Sequence, residues 1–399
     1  MKIDASWLNL KSPDFEPYTH LDPEKKLMLV GADPFFPDPC IPDHIIEATK
    51  KALDGGHTHY ALDNSYAVPP LKEILVKKLK EFNHLDVDPE NELIVVPSSA
   101  FGLYAGIRIC VRPNMGDEVL NIDPGFAENF NDVVQIGATS VSVPVYPEDG
   151  FQIRREELEK AVTPNTRCLV LTHPNNPTST VYKREVLEDV AAFLEDHDLM
   201  VVVDQSFERN IYDHREYITF ATLKGMKERT ISVFGTSKDL GLTGFRVAYM
   251  VAPKQIIDIL KIATFNYVGP TNTFAQYGVA AGYQDSSYVD EWMKVFNYRR
   301  QYGYNLLKQI PGVKCQLPEG GYFFWVDIRA LGTSTEVRDF LIKDANVGVS
   351  PGNWFGTHGE GYLRIMFSTM KDTAKYEEAM QRIHQSLVKL AELKGVAEK

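Results

Sequence analysis

Lys238 lies in Gly235-Thr236-Ser237-Lys238-Asp239-Leu240-Gly241-Leu242-Thr243-Gly244-Phe245-Arg246, between apolar runs at 231–234 and 247–251. A lysine set between strand-like runs, among hydroxyls and glycines and with an arginine eight residues on, is poorly placed for a solvated charge. An amine held in a pocket beside another cation can stay unprotonated, and in that form it condenses with an aldehyde to a Schiff base. Two more polar groups close apolar runs. Residues 168–171 lead into Thr172-His173-Pro174-Asn175-Asn176-Pro177-Thr178, and residues 199–203 lead into Asp204. Ligands of open α/β sheets bind at the carboxyl ends of the strands. Parallel strands would therefore bring Asn176, Asp204 and Lys238 to one rim. That set suits a polar heterocycle bearing an aldehyde: Asp204 for a protonated ring nitrogen, Asn176 for a ring oxygen, Lys238 for the aldehyde. Singly, each has a plainer reading as a turn, a helix cap or a surface lysine. Their order at consecutive strand ends favours the site.

An anion site is also legible. Val95-Val96-Pro97-Ser98-Ser99-Ala100-Phe101-Gly102 passes from strand to helix through small residues. Helix N-termini offer free N–H groups and a positive dipole end. Ser99 and Ala100 would supply backbone donors, Ser237 a hydroxyl and Arg246 a guanidinium fork. Alone, the segment is equally an N-cap by Ser98 or Ser99.

The elements that must carry these groups follow from periodicity. Helical patterns cover 71–82, 101–111 and 184–197. Apolar strands fall at 92–96, 118–122, 168–171, 199–203, 231–234 and 247–251. Near-continuous apolar strands between helices indicate a parallel sheet covered on both faces. From about residue 290 the pattern changes. A helix at 288–309, the run Gly320-Gly321-Tyr322-Phe323-Phe324-Trp325-Val326, a helix at 334–345, a strand at 362–367 and a helix at 373–393 read as a smaller α+β domain. The division expected is 1–50 as an N-terminal arm and part of the small domain, 51–289 as the large cofactor domain, and 290–399 as the small domain. The proline-rich first fifty residues read as an extended arm, and the tail 389–399 as frayed.

Composition bounds the function. The 399 residues carry a net charge of −12, which argues against a nucleic-acid partner. Four scattered cysteines, Cys40, Cys110, Cys168 and Cys315, fit no metal spacing and suit a reducing compartment. Met1-Lys2-Ile3-Asp4-Ala5 lacks a signal pattern, and no apolar run nears the ~20 residues of a membrane span. The expectation is a cytoplasmic protein with no metal and no membrane association.

Over residues 29–390 the chain resembles the class I/II aminotransferase family of fold-type I pyridoxal-phosphate enzymes. Ser237-Lys238 followed by Gly244-Phe245-Arg246-Val247-Ala248-Tyr249 is similar to the family's Ser-Lys…Gly-x-Arg-x-Gly-Tyr signature. Asn175-Asn176-Pro177-Thr178 and Asp204 match in order and spacing. The resemblance implies a mostly parallel seven-stranded sheet sandwiched by helices, a small α+β domain, and pyridoxal 5'-phosphate on Lys238. It further implies that Gly31, in Gly31-Ala32-Asp33-Pro34-Phe35-Phe36-Pro37, lies near the substrate carboxylate, and that Phe126, in Asp123-Pro124-Gly125-Phe126, stacks on the pyridine. Arg364, in Tyr362-Leu363-Arg364-Ile365-Met366-Phe367, would bind the α-carboxylate. Tyr60 would reach the phosphate of the partner subunit in a homodimer.

By that resemblance an amino acid displaces Lys238 from the cofactor, Asp204 keeps the ring nitrogen protonated, and freed Lys238 shifts the Cα proton. A small amino acid and a 2-oxo acid then exchange an amino group. Two departures from the family pattern stand out. Asp204-Gln205-Ser206-Phe207 replaces Asp-Glu-x-Tyr, so no phenolic donor stands at Phe207, and Gly235 replaces a hydroxyl. These keep open a lyase, decarboxylase or oxidase on the same cofactor, and, more remotely, a non-catalytic binding protein. Phe36, Phe126 and Trp354 are the candidate walls for an apolar or aromatic side chain. No arginine is readily assigned to a second carboxylate.

Overall fold

The computed structural model describes residue 10 and residues 13–396. The Met1-Lys2-Ile3-Asp4-Ala5 start and the last three residues of the tail lie outside that range. Twelve strands form two sheets among the described residues: β1 Leu27–Leu29, β2 Leu93–Val96, β3 Glu118–Asp123, β4 Thr139–Pro144, β5 Thr166–Thr172, β6 Met200–Asp204, β7 Thr230–Gly235, β8 Ala248–Val251, β9 Lys314–Cys315, β10 Phe323–Asp327, β11 Val347–Pro351 and β12 Tyr362–Met366.

The large sheet has the order β2-β8-β7-β6-β5-β3-β4. All pairs are parallel except those of β8, which runs antiparallel to both β2 and β7. This is the expected helix-covered, mostly parallel sheet. Its middle strands are buried along nearly their whole length, as a sheet covered on both faces requires. Because β8 opposes both neighbours, β2 points the same way as β7. The carboxyl ends of β2, β3, β5, β6 and β7 therefore share one rim. The register places Thr172 beside Asp204, and Asp204 beside Val233.

Helices cover both faces. α1 (Asp43–Asp54) and α2 (Pro69–Glu81) pack on one side. α2 starts at a proline pair, as helix N-termini favour, and buries Leu71, Leu75 and Leu79 at four-residue spacing. On the other side α3 (Ser99–Cys110) lies unusually close to the sheet. A Cβ on Gly102 would stand 2.9 Å from Val233 Cγ1, and one on Gly106 3.2 Å from Val202 Cγ1. Two glycines one turn apart let that helix seat directly on β6 and β7. α4 (Ala127–Ile136) follows β3 and ends in a left-handed glycine, Gly137, whose N–H closes the last turn.

The smaller sheet has the order β1-β11-β12-β10-β9. Two expectations need correction here. The first fifty residues are not simply extended. Leu27–Leu29 pairs parallel with β11 inside the small sheet, and Asp43–Asp54 is helical. The tail is not frayed from residue 389. The last helix runs Thr373–Leu393 and buries Leu387, Leu390 and Ala391, so apolar packing on the small sheet holds it.

Candidate active site

The rim of the large sheet and the small sheet enclose a cleft of about 220 Å³. Seven of the residues singled out from sequence line it: Gly31, Ser99, Phe126, Asn176, Asp204, Lys238 and Arg364. They arrive from both sheets. Lys238 sits in the single helical turn Thr236–Asp239 after β7, Asp204 closes β6, and Asn176 follows β5. Ser99 opens α3, where Ser98 caps the helix by accepting from the Phe101 N–H at 3.2 Å. Arg364 comes from the middle of β12, and Gly31 follows β1.

The polar groups are held at defined positions. Asp204 is buried and accepts at Oδ1 from the Ser206 hydroxyl at 2.6 Å and the Ser206 N–H at 3.1 Å. It caps no helix; it anchors the turn that follows its own strand. Burial pushes its carboxyl up, with the Ser206 hydrogen bonds and Lys238 opposing. A carboxylate so enclosed is short of positive charge. The Lys238 amine donates to the Ala32 carbonyl. Burial draws its pKa down to about 8, against the pull of Asp33, with Arg364 helping to lower it.

Arg364 is buried. Its Nη1 donates to Asn176 Oδ1 at 2.9 Å and its Nη2 to the Val30 carbonyl at 3.0 Å, while Nε has no partner among the described residues. The guanidinium lies 4.5 Å from the Phe355 ring centroid, and burial lowers its pKa to about 10. Thr236 is not available to a ligand, because its hydroxyl donates to the Val247 carbonyl at 2.7 Å. At Gly235, a Cβ would meet Ser206 Oγ at 3.0 Å and Ser99 Oγ at 3.4 Å. The missing side chain leaves that space to two hydroxyls, of which Ser206 already donates its proton to Asp204 and Ser99 is the one left to meet an anion.

Four of the expected cofactor-binding residues lie outside this lining. Arg246 is exposed, with left-handed backbone at φ 55°, and donates to the Thr243 carbonyl at 2.7 Å; its charge still reaches Lys238. Ser237 is half-buried next to the lysine, Ala100 is exposed in the first turn of α3, and Tyr60 is 71% exposed. Of the three aromatic candidates, Phe126 and Trp354 line the cleft. Phe36 does not; it is half-exposed because its segment turns outward.

Sequence reasoning missed other lining residues: Phe15, Glu128, Ser206 and Phe355. Phe207 also lines the cleft, its ring packed edge-on against Tyr322 and Phe323. His173 supports the rim from behind. Its ring stacks on Tyr182 and Tyr217, and its backbone N–H donates to the Asp204 carbonyl at 2.9 Å. Burial holds the ring neutral, with a pKa near 3. Among the described residues no cluster of acidic, histidine or cysteine groups could hold a metal, and no helix is long and apolar enough to cross a membrane.

Comparison with known proteins agrees over nearly the whole chain. The family model "Aminotransferase class I and II" matches residues 30–383. An aspartate aminotransferase of Pyrococcus abyssi is 36% identical over 356 residues, spanning 88% of this chain and 90% of that one. An aromatic-amino-acid aminotransferase 2 of Thermococcus litoralis is 35% identical over the same shares. The crystal structure of an aromatic aminotransferase from Pyrococcus horikoshii superposes with a TM-score of 0.87 at 33% identity, covering 96% of this chain and 99% of that one.

Proposed function

This chain belongs to the class I and II aminotransferase family, and on that premise we propose that it binds pyridoxal 5'-phosphate at the Lys238 rim. The reaction is exchange of an amino group between a small amino acid and a 2-oxo acid. One observation carries the reading: Lys238, Asp204, Asn176 and Arg364, drawn from two sheets, line a single cleft.

The donor set fits the cofactor. When bound, pyridoxal phosphate supplies an aldehyde that condenses with amines and a ring that draws electrons from a substrate carbon. Asp204 pairs with a protonated ring nitrogen, the positive charge its burial calls for. Asn176 already accepts from Arg364 through Oδ1, which leaves its amide N–H groups to donate to the ring oxygen. Ser99 and Ala100 offer backbone N–H groups at the start of α3, and Ser237 and Arg246 complete the phosphate contacts. Phe126 covers one ring face.

Arg364 takes the substrate carboxylate with its unpartnered Nε–H, beside the Gly31 backbone. Lys238, whose proton is held weakly, would be the group that takes the proton from the substrate α-carbon, and bound pyridoxal phosphate would supply the carbon that accepts it. Phe207 adds no hydroxyl, so Asn176 is the side-chain donor at the ring oxygen.

The reading includes a cytoplasmic homodimer in which Tyr60 reaches the phosphate of the partner subunit. The exposed apolar face at Ile259, Ile262, Phe265 and Tyr267 supports it, since monomers rarely leave such patches open. Residues 51–289 act as the cofactor domain and 290–399 as the small domain, with 1–50 as an arm that adds a strand to the smaller sheet.

The test is a half-reaction with amino acids alone. Conversion of the bound cofactor to its pyridoxamine form supports transamination. Carbon dioxide or hydrogen peroxide released without that conversion moves the assignment to a decarboxylase or oxidase.

A further inference from the structure

The family fixes the reaction and leaves the side chain of the substrate open: relatives carry names for aspartate and for aromatic amino acids. The cleft itself narrows the choice. Its charged lining, among the described residues, is Lys238, Arg364, Asp204 and Glu128. The first three are taken by the cofactor and the substrate carboxylate in the reading above, on which this inference rests. Glu128 remains. It stands in the first turn of α4, two residues after Phe126. Its carboxylate makes no hydrogen bond or ion pair among the described residues. Its side chain lines the cleft and is exposed there.

We propose that Glu128 selects the substrate side chain, favouring amino acids that end in an amine or guanidinium and rejecting those with a second carboxylate. A second carboxylate would face Glu128 with no spare cation offered by this chain's described lining to offset it, and unpaired like charges repel. A cationic end would pair with Glu128. Phe15, Phe126 and Trp354 would cover its methylene stem and offer ring faces to the charge.

The plainer account is that an acid in a first helical turn only complements the helix dipole. That account leaves unexplained why the carboxylate lines the substrate cleft. The cleft also works against its ionisation: burial, and then Asp204, raise its pKa to about 7, opposed by Arg364 and Lys238. A cationic substrate end would relieve both.

The experiment uses the cofactor-loaded enzyme with ornithine, arginine, phenylalanine and aspartate as sole donors. Binding of the non-reacting α-methyl analogues of ornithine and aspartate is measured by calorimetry in parallel. Ornithine or arginine should exceed aspartate at least tenfold in kcat/KM, and α-methylornithine should bind more tightly than α-methylaspartate. In Glu128→Gln the ornithine-to-phenylalanine ratio of kcat/KM should fall at least tenfold, through KM. Glu128→Asp, which keeps the charge, should restore part of it.

An aspartate preference in the wild type would overturn the inference and point to a cation from beyond the described residues. An unchanged donor ratio in Glu128→Gln with a lowered melting temperature would overturn it in favour of the helix-dipole role. Phenylalanine turnover in either case leaves the aminotransferase reading standing. Failure of every donor to yield the pyridoxamine form removes both.

Discussion

Arg364 Nη1 donates to Asn176 Oδ1 at 2.9 Å, a hydrogen bond that ties β12 of the small sheet to the loop after β5 of the large one. The same guanidinium donates to the Val30 carbonyl at 3.0 Å, so one side chain joins both sheets and the segment after β1. Its geometry needs a fork. Lys at this position would keep the charge and lose the Nε–H proposed for the substrate carboxylate. A hydrogen bond to a charged group contributes about 1.5–3 kcal/mol, which corresponds to a rise of roughly 10- to 150-fold in KM for the amino donor in Arg364→Lys. Cofactor affinity should fall by less than donor affinity, since Lys238, Asp204 and the α3 terminus are untouched and only the hold on Asn176 changes. Unchanged donor KM would remove Arg364 from substrate binding.

Lys238 gives a pH dependence with a definite sign. Its folded pKa of about 8 lies below the ordinary 10.5. Between those values the unfolded chain binds the extra proton, so stability rises with pH across that window, and the penalty of a buried ammonium is present below it. The same shift sets reactivity, because only the neutral amine attacks an aldehyde. The rate at which cofactor-free enzyme captures pyridoxal phosphate should rise through pH 8 and level off before 10. A rise centred near 10.5 would show the amine to be solvated. Lys238→Ala should lose turnover and the visible lysine adduct while keeping the wild-type sedimentation and far-ultraviolet dichroism.

What could be seen in the sequence divides along physical lines. β5, β6 and β7 were legible because a strand buried on both faces must be apolar throughout, and the polar residue that ends it then stands out. Asp204 is marked in this way, and Lys238 follows three residues after the end of β7. β1 was not legible. Leu27-Met28-Leu29 is too short to show a period, and its place in the small sheet depends on Val347–Pro351 more than three hundred residues away. Glu128 was hidden for another reason. An acid two residues into a helix is ordinary, and only its place in the same lining as Phe15 and Trp354, distant in sequence, marks it as part of a cleft. Phe36 misled because composition around it is apolar, while its backbone turns the ring outward.

The exposed face of the helix Lys254–Tyr267 bears on assembly. Ile259, Ile262 and Phe265 recur at three-residue spacing and are 49%, 66% and 56% exposed. That spacing puts them on one stripe, and an open apolar stripe of this kind is costly for a monomer in water. Ile262→Asp with Phe265→Asp should turn a dimer into a monomer by analytical ultracentrifugation. If Tyr60 serves the partner's phosphate, cofactor affinity should fall with the dimer. A wild-type chain that sediments as a monomer would end the homodimer proposal.

Gly102 tests the link between packing and the phosphate cradle. It lies in the first turn of α3, where a Cβ would stand 2.9 Å from Val233 Cγ1 and 3.3 Å from Met250 Sδ. Neither neighbour has room to withdraw, since Val233 and Met250 are both fully buried in the sheet. The helix itself would have to lift. Overpacking of this kind costs about 1–3 kcal/mol, which Gly102→Val should show as a lowered urea midpoint with unchanged slope. The lift would also displace the N–H groups of Ser99 and Ala100, three and two residues away, from the anion they are proposed to hold. Cofactor affinity should therefore fall in Gly102→Val by more than in a control such as Gly106→Ala, whose Cβ contacts of 3.2 and 3.3 Å lie a turn further from the rim. Equal loss of stability in both variants with no difference in cofactor affinity would separate the α3 terminus from phosphate binding.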